Sequence, residues 1–109
     1  MERQLFQPIS GLTLKDILDR YQQVIIVCHK SPGTSETYRL QQLKKDLGSV
    51  ALEYLTPEKI SAYRDNRLHS VSGASVKREL VILRSALITA IKDWGISLPA
   101  NPVTNVRIP

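Results

Sequence analysis

Between Ser72 and Gly95 the chain carries a helical pattern long enough to organise a small domain. With Val76 at zero and about 100° per residue, Val76, Leu80, Leu83, Leu87, Ile91 and Trp94 fall on a stripe roughly 80° wide. That stripe predicts a core-facing surface, with Trp94 packing against the first helix. Lys77 and Arg84 lie on one side of it, with Lys92 and Arg78 further round, and Glu79 and Asp93 lie on the other. A helix divided in this way can dock on its own domain and still present cations to a polyanion.

The punctuation upstream predicts three more helices and an all-α, four-helix single domain. Thr13 is a good N-cap with Asp16 in the capping-box place, and apolar residues recur at helical spacing from Leu14 to Cys28 or Lys30. Ser31-Pro-Gly stops that helix. A second helix starts near Thr34 or Ser35, turns Leu40, Leu43 and Leu47 inward, and ends at Gly48 as a left-handed cap. Ser49 to Leu55 reads as a short extended connector. Thr56-Pro-Glu then opens a third helix that continues to about His69, because threonine caps, proline suits the first helical position and glutamate complements the helix dipole. Residues 96–109 contain Leu98-Pro-Ala-Asn-Pro-Val, cannot be regular helix, and read as a linker or the start of one.

The inventory of reactive groups argues against catalysis by this chain alone. Its two histidines, His29 and His69, stand forty positions apart at helix ends, where a solvated or terminal role is expected. There is no metal-spaced Cys and His set, no Gly-rich phosphate loop and no Ser-His-acid pattern. Asp16 and Asp19 are close in sequence but belong to a helix surface. The single cysteine, Cys28, sits in an apolar run and implies a buried free thiol and a reducing, cytoplasmic setting. That run is too short to span a bilayer, so no insertion into a membrane is expected. Neither a catalytic residue nor a metal or organic cofactor is expected.

Charge supplies the positive signal. Fifteen Lys and Arg against ten Asp and Glu leave a formal net charge of +5 on 109 residues. Such a balance suits nucleic acid, an acidic protein or an anionic membrane surface. In the second helix, with Leu40 at zero, Thr37, Lys44, Gln41, Thr34, Lys45 and Tyr38 occupy one flank from about 40° to 160°. Cations mixed with hydrogen-bonding groups are what phosphate anchoring plus base-edge contact requires. Ser31, Thr34, Ser35, Ser72 and Ser75 gather at two helix starts, where hydroxyls and free amides can cap the helix or grip phosphate. The candidate nucleic-acid contacts are therefore Lys44, Lys45, Lys77, Arg78 and Arg84 for phosphates, and Thr34, Ser35, Thr37, Tyr38, Gln41 and Ser75 for bases or sugars.

The order Thr13-Leu-Lys-Asp-Ile-Leu-Asp-Arg-Tyr, Thr34-Ser-Glu-Thr-Tyr-Arg-Leu-Gln-Gln-Leu, Leu55-Thr-Pro-Glu-Lys-Ile, Ser75-Val-Lys-Arg-Glu-Leu-Val-Ile-Leu-Arg-Ser-Ala-Leu and Asn101-Pro-Val resembles the core-binding domain of tyrosine recombinases, the phage-integrase family. The resemblance covers residues from about 12 to 106. It implies a SAM-like four-helix bundle that clasps a duplex half-site, with the second and fourth helices approaching the major groove. It also implies partners beyond DNA: a catalytic domain of the same parent protein and further recombinase protomers assembled on the site. The family's catalytic domain supplies a His-x-x-Arg motif and a tyrosine nucleophile. Neither His29-Lys-Ser-Pro nor His69-Ser-Val-Ser matches that motif, and Tyr21, Tyr38, Tyr54 and Tyr63 lack the cationic set a phosphoryl transition state needs. The expected organisation is thus an N-terminal extension over residues 1–12, a DNA-binding domain over 13–95, and a segment over 96–109 leading into an absent catalytic domain. A helix-turn-helix-like transcriptional regulator and a SAM-like protein-interaction module are the alternative readings. The first should show a short turn between supporting and recognition helices, and the second should bind nucleic acid no better than any basic protein.

Overall fold

The structure, a computed structural model, describes residues 11–28, 34–98 and 101–109. Among these, four α-helices account for most of the chain: α1 (Leu14–Cys28), α2 (Thr34–Leu47), α3 (Pro57–Arg67) and α4 (Gly73–Asp93). Two 3-10 turns, Leu52–Tyr54 and Pro102–Asn105, complete it. The stop at Ser31-Pro-Gly and His29 lie outside the described residues, as do the side chains of Cys28, Thr34 and Ser35.

Each helix begins where a side chain can satisfy its free amides. At α1 the capping is reciprocal: Asp16 Oδ2 accepts from the Thr13 amide at 2.9 Å, and Thr13 Oγ1 accepts from the Asp16 amide at 3.4 Å. Thr56 Oγ1 accepts from the Lys59 amide at 3.3 Å, and Ser72 Oγ accepts from the Ser75 amide at 3.2 Å. The start of α1 has a second support. Leu14 and Lys15 donate their amides to the carbonyls of Val50 and Gly48, each at 2.9 Å. Thr13 and Ala51 form an isolated antiparallel bridge beside them. The segment expected as an extended connector is therefore extended only as far as this bridge, and then coils into the first 3-10 turn. That turn buries Leu52.

Glycine closes two helices by different means. Gly95 adopts φ +65° and ends α4 as a left-handed residue. Gly48, expected to do the same for α2, does not have positive φ. It is required instead because the Lys44 carbonyl would stand 2.3 Å from any Cβ at that position.

The core joins Leu14, Ile17, Leu18 and Ile25 of α1 to Leu40, Leu43 and Leu47 of α2, Ile60 and Tyr63 of α3, and six apolar residues of α4. α4 packs against all three other helices and is the central element. Its buried arc differs from the expected stripe. Ala86, Ala90 and Glu79 are buried with Val76, Leu80, Leu83 and Leu87, whereas Ile91 and Trp94 are half-buried. Trp94 does meet α1, through the guanidinium of Arg20, which lies 4.3 Å from the ring centroid.

Two expectations are corrected here. Glu79 is not on a solvated flank: it is 2% exposed, and it accepts from Tyr63 Oη at 2.6 Å and from Arg67 Nε and Nη2 at 3.1 and 2.7 Å. It joins α3 to α4 because two donors on α3 replace the water it loses. The C-terminal stretch is not a free linker either. Ile96, Val103 and Val106 are buried, and the second 3-10 turn packs on α3 and α4. Asn101 holds this stretch at both ends of its side chain, accepting from the Val103 amide at 3.0 Å and donating to the Arg84 carbonyl at 3.0 Å. Arg64 Nη1 donates to the Arg107 carbonyl at 2.9 Å.

Candidate nucleic-acid interface

Because α4 turns its buried arc toward the other helices, the rest of its circumference is left to solvent. Its exposed residues are Ala74, Lys77, Arg78, Val81, Arg84, Ile88, Lys92 and Asp93. Four are cations, and the one carboxylate stands at the last helical position. The other acid of α4, Glu79, is turned inward and neutralised by Arg67. Among the described residues, the ion pairs engage Lys15, Lys44, Arg64 and Arg67, and none engages Lys77, Arg78 or Arg84.

α2 and α4 enclose a groove of about 440 Å³, lined by Glu36 and Arg39 from α2 and by Ala74, Lys77, Arg78, Val81 and Ile82 from α4. Three cations against one carboxylate make its lip positive. Lys77 and Arg78 were expected at such a surface, but Arg39 was not. Arg39 sits at about 260° on the α2 wheel, outside the flank from about 40° to 160° that the sequence singled out. The missed signal was the position of Leu43 beside it: that edge of α2 faces α4, so a cation there joins those of α4.

The α2 candidates divide. Tyr38 is 69% exposed, and Gln41 and Lys45 are exposed as well, whereas Thr37 is half-buried. None of these four lines the groove. Lys44 is held inside the fold. Its ammonium donates to Gln22 Oε1 at 2.6 Å and pairs with Asp19 Oδ1 at 2.7 Å, leaving its side chain 12% exposed. Asp19 is held below the usual carboxylate range by its hydrogen bond from Lys15 and then by that from Lys44. The charge of Lys44 is therefore answered by α1. Ser75 is half-buried at the start of α4, where its hydroxyl accepts from Ser72 Oγ at 3.3 Å while its amide is capped.

Among the described residues, no three His, Cys, Asp or Glu gather in a way that could hold a metal ion, and no helix is long and apolar enough to cross a membrane.

A four-helix domain whose central helix keeps a cationic outward face is a class with many members. The chain matches the family described as the phage integrase N-terminal domain over residues 11–108, and it belongs to that family. Among solved structures it is similar to the crystal structure of a lambda integrase fragment bound to DNA. The two share 23% identity and a TM-score of 0.70, over 89% of this chain and 34% of that one. That likeness is one of fold, and the chain spans about a third of its relative. No curated protein matches the chain.

Proposed function

We propose that this chain is the core-binding domain of a site-specific tyrosine recombinase, holding duplex DNA at a recombination half-site so that a separate catalytic domain can cut it. The carrying observation is the outward face of α4, on which Lys77, Arg78 and Arg84 point to solvent with no ion pair among the described residues. Phosphates are the partner that unpaired, closely spaced cations recruit, since each one neutralised releases counterions. Arg39 extends this surface across the groove, and Lys45, Tyr38 and Gln41 offer exposed groups on α2 for further phosphate, sugar or base contact. Family membership and the DNA-bound relative support the reading. In it, residues 96–109 lead from the DNA-binding unit toward the catalytic domain, and strand cutting and protomer assembly belong to the whole recombinase.

Fluorescence anisotropy titration with duplex DNA over a series of salt concentrations tests this. Four phosphate contacts give a slope of log K against log salt of about −3.6. A slope near zero would remove DNA as the partner and return the domain to the protein-interaction class.

A further inference from the structure

Ala74, Val81 and Ile88 recur every seventh residue of α4 and are all exposed, Val81 at 38% and Ile88 at 39%. Seven residues are close to two helical turns, so the three form one straight apolar ridge. Lys77 and Arg84 lie along one shoulder of the ridge, and Arg78 and Lys92 lie along the other. The acid-free face of α4 is thus apolar in the middle and cationic on both edges.

The major groove of duplex DNA has the inverse arrangement. Phosphates run along both walls, and the one apolar group on its floor is the 5-methyl of thymine. A helix about 10 to 12 Å across fits a groove about 12 Å wide. Cations on both shoulders can then reach both walls while the ridge meets the floor. Resting on the DNA-binding reading above, we infer that Val81 and Ile88 are specificity residues that read thymine methyl groups. The two side chains stand about 10.5 Å apart along the helix axis, about three base-pair steps. An anionic membrane surface fits less well. The ridge holds one Ala, one Val and one Ile, with none of the Trp, Phe or Leu that holds an interfacial helix, and the opposite face of α4 is committed to the core.

The test compares two short alternating duplexes that differ in one atom group, one containing thymine and one containing deoxyuridine in its place, at several salt concentrations. Charge and Watson–Crick edges are the same in both. The thymine duplex should bind about fourfold tighter for each methyl group that meets the ridge. The preference should vanish in a Val81→Ser, Ile88→Ser variant whose salt slope is unchanged. Equal affinity of the unaltered protein for both duplexes, with a steep salt slope, would overturn the methyl inference and leave DNA binding standing. A preference that survives undiminished in the double variant would overturn it too, since the discrimination would then come from duplex shape. Absence of salt-dependent binding to either duplex would overturn the DNA reading and this inference together.

Discussion

Glu79 is where residue type and burial conflict most. A carboxylate 2% exposed survives because Tyr63 and Arg67 supply three hydrogen bonds. Glu79→Gln keeps the shape and removes the charge, leaving Arg67 unpaired at 14% side-chain exposure. Losing one partner of a buried pair costs about 3 to 5 kcal/mol, so thermal melting should fall by roughly 10 °C or more. Tyr63 offers a second check. Its phenol is pushed well above the ordinary value by burial and then by its hydrogen bond to Glu79. Since the folded value is raised, the stability it contributes is complete below about pH 10 and is lost as pH rises beyond that. In an alkaline titration followed by phenolate absorbance, Tyr63 should ionise only on unfolding. Tyr63→Phe should therefore change the amplitude in denaturant but not in the folded protein. The sequence hid Glu79 because alanines weigh little in an apolar stripe. Once Ala86 and Ala90 are included, the buried arc of α4 runs from about −80° to 40° on the wheel and takes in Glu79 at about −60°.

The helices themselves were largely legible, because caps are local chemistry. Thr13, Thr56 and Ser72 fix starts within a few residues of the chain they cap, and α1, α2 and α4 run close to the expected bounds. α3 ends at Arg67, two residues before the expected limit. What was not legible depends on distant partners. Nothing in Leu98-Pro-Ala-Asn-Pro-Val announces that Val103 and Val106 enter the core, since the neighbours that bury them come from α3 and α4. The same holds for Lys44, whose capture by Asp19 and Gln22 requires α1 and α2 to be side by side. If residues 101–106 belong to the folded unit, Val103→Asp places an unpaired charge in a site 2% exposed and should destabilise by several kcal/mol. A thermal melt matching that of the unaltered protein would show that this turn docks without supporting the core.

At the scale of the molecule, charge is divided between two tasks. Lys15, Lys44, Arg64 and Arg67 pair with carboxylates of their own chain, whereas Lys77, Arg78 and Arg84 have no ion pair among the described residues. Replacing these last three together with Ala should leave melting nearly unchanged, each exposed change falling within about ±0.5 kcal/mol. The salt slope of DNA binding should shrink by about one unit for each phosphate that is no longer neutralised. Lys44→Ala should do the reverse, lowering stability while leaving the slope intact. Equal duplex affinity of the triple variant and the unaltered protein at low salt would remove α4 from the DNA-facing surface.

The polar knot between α3 and α4 also governs direction. Apolar packing is non-directional, and a row of leucines tolerates a small roll of one helix on its neighbours. A carboxylate bonded to a phenol and a guanidinium does not, because those bonds weaken steeply when misaligned. Glu79 therefore works as an indexing pin, locking α4 at one azimuth. The bearing of Lys77, Arg78 and Val81 toward whatever they meet outside is set by a charge that never reaches the surface.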